Sequence, residues 1–381
     1  MIILHLIKTT IGATWALREI QVLIHLGCKI HVALPNKEGL YEEYKKAGAQ
    51  VHVLDTDIAS FKGSPLAFTK AVVKLRNLVS EINPDIIHSH FVGTTYFMRM
   101  ALIGISIKRI FQVPGPLHLE KIITRKVDVN LANKYDYWIP TCHLSKQYYL
   151  NEGIAKDRLT TIFYGSDVSV FNNNQPKGSL RRELNIPDGI KIVGMVAFVY
   201  PPKKWLGQSR GLKGHEDLID AMSTVIKQRK DVVCVIVGGA WGDSEDYYKQ
   251  VVEYGVNKLG AKVHFLGTRQ DVPKLYPDFD IAVHPSLSEN LGGAAESLLM
   301  GIPTIATDIG GFPDIVKENK TGWLVPPSDP SSLARKIVSV LDHPDNAKKV
   351  ADFGKQEMLR ELDVNNTATQ VFDFYKYVMS I

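Results

Sequence analysis

The sequence predicts an α/β protein made of two doubly wound domains, each a parallel sheet covered by helices on both faces. Three observations carry that expectation. The chain has 381 residues, which at roughly 150 residues per domain points to two or three domains. Short apolar runs alternate with helical periods along its length, the pattern of successive β-α-β units. The series is interrupted once by a polar stretch and starts afresh after residue 180.

In chain order, Ile2–Ile7, Ile30–Pro35, Val51–Leu54, Asp85–His88 and Arg109–Val113 read as strands. They are nearly apolar on both faces, as expected when helices cover both sides of a parallel sheet. Between them Phe68, Val72, Leu75, Val79 and Ile82 form one stripe of a helix, which Asn83-Pro84 stops. Phe171-Asn-Asn-Asn-Gln-Pro-Lys-Gly-Ser179 is polar and marked by proline and glycine, so it reads as an interdomain linker. Beyond it, Ile190–Val196, Val232–Val237, Val263–Gly267, Ile281–Pro285, Thr304–Ala306 and Trp323–Val325 read as a second set of strands. Leu218, Ile219, Met222, Val225 and Ile226 mark a helix among them. Thr367–Met379 places Val371, Phe372, Tyr375 and Val378 on one face and reads as a helix packed on a domain. Two such sheets are expected to bind a ligand outside the carboxyl ends of their strands, in a central cleft.

Composition narrows the class. Hydrophobic content of 45% and charged content of 22% are those of a globular protein and exclude disorder, collagen and coiled coil. No window approaches the ~18 consecutive apolar residues of a membrane span. Ile2–Ile7 is interrupted by His5 and too short for a signal-peptide core. The three cysteines, Cys28, Cys142 and Cys234, lie far apart without a Cys-x-x-Cys pair, which argues against a disulfide framework or zinc ribbon and for a cytoplasmic protein. The net charge of +5 is unevenly spread: residues 1–170 hold 20 basic and 14 acidic residues. Arg99, Lys108, Arg109, Lys121, Arg125 and Lys126 face Glu120 alone within residues 99–126. That density is too low for a nucleic-acid footprint. It suits either a solvated face or a surface for anionic lipid or a phosphorylated substrate.

The chemistry concentrates in Pro285-Ser-Leu-Ser-Glu289-Asn-Leu-Gly-Gly-Ala-Ala-Glu296-Ser-Leu-Leu-Met-Gly301, which follows a strand and leads into a helix. Gly292 and Gly293 fall where that helix begins, and there free N–H groups and the positive dipole end favour an anion such as pyrophosphate. Glu289 and Glu296 would repel a phosphate, so sugar and ribose hydroxyls are their natural partners, unless both are simply solvated.

These residues resemble the donor-site block of glycosyltransferase family 4, retaining enzymes of GT-B fold that use nucleotide-activated sugars. The resemblance extends to Gly310-Gly311-Phe-Pro-Asp314, Gly322-Trp-Leu-Val-Pro, Pro84-Asp-Ile-Ile-His-Ser-His90, Tyr164-Gly-Ser-Asp167, Leu212-Lys213-Gly214-His-Glu-Asp-Leu-Ile and Phe265-Leu-Gly267. It implies two Rossmann-like domains facing a central cleft. Residues 1–170 with about 365–381 would bind the acceptor, and 175–360 the donor. By the same resemblance Glu289, Asn290, Leu291, Gly292 and Gly293 contact donor sugar and diphosphate, and Glu296 the ribose. The two glutamates are separated by six residues here and by seven in the family. Lys213 matches the lysine on the diphosphate, where a compact ammonium offsets leaving-group charge. Thr268 and Arg269 lie where the base is held by backbone. Phe198 stands where the family has an arginine, and Arg210, in the long loop Val199–Leu212, could supply that guanidinium. His90 matches the histidine that faces the donor sugar and diphosphate. His118 is a fainter acceptor-side candidate, and Gly12 opens the first strand-to-helix loop, where close backbone approach is useful.

The expected activity is transfer of a sugar from a nucleotide-diphosphate sugar, of UDP or GDP type, to a hydroxyl of a glycan or lipid-linked acceptor. No cofactor, metal or nucleic acid is expected, and peripheral contact with an anionic membrane is. Asp55-Thr-Asp57 and Asp278-Phe-Asp280 have the spacing of metal-binding triplets, but such triplets arise by chance and the second runs straight into a strand. The rivals are a nucleotide-sugar epimerase on the same fold, a phosphorylase, for which no pyridoxal-phosphate marker is seen, and a non-catalytic hinge-type sugar-binding protein. The last would not need Lys213 and Glu296 together.

Overall fold

A computed structural model describes residues 1–172, 177–204 and 207–381. Residues 173–176 of the expected linker, and Trp205 and Leu206 of the loop Val199–Leu212, lie outside the described residues. The chain divides into two compact units, Met1–Asp167 with Glu361–Ile381, and Val168–Arg360.

The first unit holds six parallel strands: β1 (Ile2–Leu6), β2 (Lys29–Leu34), β3 (Gln50–Val53), β4 (Ile86–Ser89), β5 (Lys108–Val113) and β6 (Asp136–Pro140), in the order β3-β2-β1-β4-β5-β6. Alternate residues feed opposite faces. Ile3, Ile30, Val32, Ile86 and Ile110 enter one core, and Leu4, Leu6, Ala33 and Ile87 the other. The helical stripe is the helix Pro65–Ile82, which Ser64 caps from its side chain and Asn83 ends in the left-handed conformation at φ 46°. The C-terminal helix Val364–Ser380 belongs to this unit. Its Val371, Phe374, Tyr375 and Val378 pack in the same core as Ala16, Ile20 and Leu23 of the first helix, Thr14–His25.

One strand, β6, was not expected. It begins on Asp136 and ends on Pro140, both unusual in a central strand, but it is the edge of the sheet. Asp136 is buried there against Arg99 at 3.0 Å and Arg109 at 3.1 Å, and Arg99 also binds Asp128 at 2.5 Å. Two of the six basic residues counted within 99–126 are therefore internal ion pairs and add nothing to a basic surface. Removing one partner of such a buried pair costs about 3–5 kcal/mol.

The second unit repeats the arrangement with β7 (Lys191–Val196), β8 (Val232–Val237), β9 (Val263–Phe265), β10 (Ile281–His284), β11 (Thr304–Thr307) and β12 (Trp323–Val325), all parallel, in the order β12-β11-β10-β7-β8-β9. Val232, Cys234 and Ile236 point into one core, and Val233, Val235 and Val237 into the other. In each sheet the order of strands reverses beside the first strand, between β1 and β4 and between β7 and β10. Those are the points where doubly wound sheets open a crevice for ligands.

Candidate functional site

At the β7/β10 switch point of the second unit, the strand β10 ends at His284 and the helix Gly292–Leu299 begins eight residues later. The turn between them depends on its glycines. Gly292 is at φ +42°, and a Cβ there would lie 2.7 Å from the Glu289 carboxyl carbon. A Cβ on Gly293 would meet the His284 ring at 2.9 Å and the Val196 carbonyl oxygen at 3.0 Å. Glycine at both positions lets the helix start pack against the ends of β7 and β10, and the first N–H groups of a helix have no partner within the helix itself.

Two cavities open on this helix start. The smaller, of about 150 Å³, is lined by Lys213, Glu289, Gly292, Gly293, His284, Ser286, Phe198 and Tyr200, among others. The larger, of about 340 Å³, is lined by Phe198, Gly238, Thr268, Arg269, Val272, Gly292, Gly293 and Glu296, among others. Val196, Ala197, Phe198 and the two glycines form their common wall. A third cavity of about 260 Å³, lined by residues such as Lys191, Asp280, Gly301 and Pro303, includes none of Lys213, Glu289, Gly292, Gly293 and Glu296.

Within the smaller cavity Lys213 is ion-paired with Glu289, whose other oxygen accepts the N–H of Asn290 at 3.0 Å. Lys213 also lies over the ring of Tyr200 at 5.4 Å. Burial, and then the Glu289 charge, pushes the Tyr200 hydroxyl up to about 12. His284 donates to or accepts from the Ser297 hydroxyl at 3.0 Å, and burial, with Lys213 nearby, lowers its pKa to about 3, so it is uncharged. In the larger cavity the Tyr276 hydroxyl donates to Glu296 at 3.3 Å. Arg269, which also lines this cavity, pairs its guanidinium with Asp271 and Glu183. Leu291 is buried and Asn290 half-buried beside the helix start.

Arg210 is placed elsewhere than at either cavity. Its guanidinium binds Asp217 at 2.6 Å and Asp220 at 2.7 Å, on the helix His215–Gln228. Lys213, not Arg210, thus shares a cavity with the helix start.

In the first unit Gly12 is exposed at φ +80° with open space around it. His90 is fully buried at the end of β4, with Trp15 against its ring at 5.3 Å. His118 is held by Asp128 at 3.4 Å. Around His90 the structure assembles a group that the sequence had not singled out: His5, Glu19 and His88 join it, with one potential ligand atom from each within 4.8 Å of the others. Among the described residues it is the one such set compact enough to bracket a metal ion. The signal was present as histidines at alternate or matched positions of otherwise apolar strands. The Asp-x-Asp triplets are engaged structurally. Asp57 caps Ala59, Asp278 accepts the N–H groups of Gly178 and Leu180 at 2.6 and 2.8 Å, and Asp280 binds Arg181 at 3.0 Å.

An anion-binding helix start, one lysine and two carboxylates around adjoining cavities suit a ligand with a phosphate centre flanked by hydroxyl-bearing groups. Two family profiles match the chain, one described as Glycosyltransferase Family 4 over residues 12–170 and one as Glycosyl transferases group 1 over residues 205–357. The chain belongs to this family of glycosyltransferases and has the GT-B fold. It is similar to the D-inositol 3-phosphate glycosyltransferase of Corynebacterium urealyticum, 27% identical over 352 residues, which cover 86% of this chain and 78% of that one. Among solved structures it is similar to Anabaena HepE in complex with UDP, at a TM-score of 0.80 and 22% identity over 98% and 99% of the two chains. It is also similar to sucrose-phosphate synthase of Thermosynechococcus elongatus, at a TM-score of 0.77 and 17% identity over 100% and 99%.

Proposed function

We propose that the protein is a retaining glycosyltransferase that moves a sugar from a nucleotide-diphosphate sugar of UDP or GDP type to a hydroxyl of a glycan or lipid-linked acceptor, in the synthesis of a surface polysaccharide or glycolipid. The observation that carries this is the pair of adjoining cavities on the helix start at Gly292–Gly293, one holding Lys213 and Glu289, the other Glu296. In this reading the diphosphate occupies the helix start and Lys213, whose fixed positive charge stabilises the departing group. Glu296 receives the ribose hydroxyls, and the backbone at Thr268 and Arg269 receives the base. Glu289, with Asn290 and Leu291, holds the sugar, and it must leave Lys213 for the phosphate to arrive. Attack from the face the leaving group vacates then preserves the anomeric configuration. From the N-terminal unit, His90 offers a nitrogen to the donor, and His118 and Gly12 serve the acceptor side. That unit binds the acceptor and the other the donor.

Peripheral membrane contact is part of the proposal. The helix Ile122–Asn130 exposes Ile122 (64%), Ile123 (75%) and Val127 (43%), and Lys126 beside them is exposed as well. Apolar side chains among basic ones suit an anionic interface. The activity is tested by incubating the protein with nucleotide sugars and measuring nucleoside diphosphate release, after a thermal-shift screen of UDP, GDP, ADP and CDP. Ligand at ~100 times Kd stabilises by about 2.7 kcal/mol. No shift with any nucleotide would remove the reading.

A further inference from the structure

His90 does not stand alone in the first unit. Strand β1 brings His5 to it, β4 brings His88, β5 brings Gln112, the first helix brings Glu19 and the C-terminal helix brings Tyr375, all buried. The His88 and His90 rings stack at 4.3 Å, and the His5 and His90 rings at 5.2 Å, nearly parallel. His88 is anchored in turn by the Tyr375 hydroxyl, 2.5 Å from its Nδ1, and Glu19 accepts from the Gln112 amide at 2.9 Å.

The decisive contact is His5 Nδ1 to His90 Nε2 at 2.9 Å. At that distance the two nitrogens share one hydrogen, since two bare lone pairs repel and two N–H groups collide. Burial keeps both rings uncharged, so each carries a single N–H. The tautomers are therefore locked together. A hydrogen on His5 Nδ1 puts the hydrogen of His90 on its own Nδ1, and a hydrogen on His90 Nε2 leaves Nδ1 bare. His90 Nδ1 makes no well-formed hydrogen bond within the protein, although the Gln112 side chain approaches the His90 ring, and it is the nitrogen left over. Phosphate oxygens of a nucleotide-diphosphate sugar carry no hydrogen at neutral pH, so only an N–H can bind them.

We propose that His5 is a positioning residue for transfer: it donates its Nδ1–H to His90 Nε2 and so fixes His90 with its remaining N–H on the buried Nδ1, the nitrogen left for the donor in the function proposed above. This rests on the proposed role of His90 at the donor, and it adds the group that sets which nitrogen carries the hydrogen.

The first test needs no activity. Imidazole ¹⁵N spectra of the unliganded protein, assigned with a His90→Gln variant, are expected to show His90 protonated on Nδ1 and bare on Nε2. The opposite tautomer overturns the proposal. One tightly bound metal ion per chain in the purified protein overturns it equally, because a metal would claim the free nitrogens. The second test is kinetic. His5→Ala is expected to lower kcat about tenfold or more, the kind of loss that follows when the tautomer of a functional histidine is no longer set, and to weaken UDP or GDP binding by calorimetry, because the phosphate oxygen loses its N–H. His5→Asn, whose side-chain N–H reaches the place of Nδ1–H, is expected to restore most of that loss. An unchanged kcat in His5→Ala, or folded His5→Asn no better than alanine, counts against the proposal. A wild-type protein that binds no nucleotide would instead undo the donor-site reading, and the spectra would still decide the tautomer.

Discussion

Lys213 and Glu289 neutralise each other across the mouth of the smaller cavity, and both side chains are largely buried there, at 17% and 14% exposure. The proposed phosphate and Glu289 therefore compete for one ammonium. Glu289→Gln removes the competitor, so nucleoside diphosphate alone is expected to bind about 1 kcal/mol more tightly, while turnover of the nucleotide sugar falls. Lys213→Ala is expected to weaken the same binding by about 1.5–3 kcal/mol. Titration calorimetry on both variants reads the two signs, and weaker binding in Glu289→Gln contradicts the competition.

Glu296 accepts from Tyr276 in the neighbouring cavity and is assigned to the ribose. Glu296→Ala is expected to cost about 1.5–3 kcal/mol of nucleoside diphosphate affinity, the value of a charge-assisted hydrogen bond. Unchanged affinity by calorimetry would remove Glu296 from the site.

Legibility in the sequence followed physical simplicity. Eleven of the twelve strands among the described residues were readable because a parallel strand buried on both faces is a nearly unbroken apolar run. The remaining one, β6, hid behind Asp136, whose charge makes sense only once Arg99 and Arg109 arrive from other elements. The segment proposed as the donor site stood out as a motif because Glu289, Gly292, Gly293 and Glu296 are close in sequence, and they line the two adjoining cavities. The same local reading could not place Arg210, since its preference for Asp217 and Asp220 over the cavity is a matter of side-chain direction. Nor could it find the His5–His90 contact, which joins residues 85 positions apart across two adjacent strands.

Phosphate charge in this reading is met by Lys213 and a helix start, and the Asp-x-Asp triplets are occupied within the fold. Glycosyl transfer is therefore expected to survive EDTA without loss. Activity that disappears on chelation and returns with Mg²⁺ or Mn²⁺ would contradict this.

His215 and His284 are buried uncharged in the second unit, with pKa lowered to about 4 and about 3, chiefly by burial. Their folded pKa lies below the unfolded value, near 6.5, so the unfolded chain takes up protons that the folded one refuses. Their contribution is complete above about pH 6.5 and is lost as pH falls, by about 1.4 kcal/mol per pH unit for each histidine. Glu19, raised to about 7 by burial, acts in the opposite sense in the first unit, losing its contribution as pH rises from about 4.5 to 7. Thermal unfolding at pH 7.5, 6 and 5 is expected to show the transition of the second unit moving down with acid. A transition that stays level or rises is the contrary result.

Vesicles containing anionic lipid are expected to sediment the protein at low salt and release it at high salt, because surface attraction falls off within a Debye length of roughly 8 Å at physiological ionic strength. Replacing Ile122 and Ile123 by serine together with Lys126→Glu is expected to abolish sedimentation while nucleotide binding stays intact. Equal sedimentation of variant and wild type would detach the helix Ile122–Asn130 from any membrane role.

The first unit is closed by the helix Val364–Ser380, since its Val371, Phe374, Tyr375 and Val378 complete a core begun by Ile3 and Ala16. Emerging from a ribosome, the N-terminal half is synthesised first yet finished last. Until the helix Val364–Ser380 is made, the face of the helix Thr14–His25 that will receive it lacks that cover. The continuous unit Val168–Arg360, although made later, has all its residues first and can complete its fold while its predecessor waits. Synthesis that stops short of residue 364 would leave a finished second unit attached to an open first one, a ready target for chaperones and proteases.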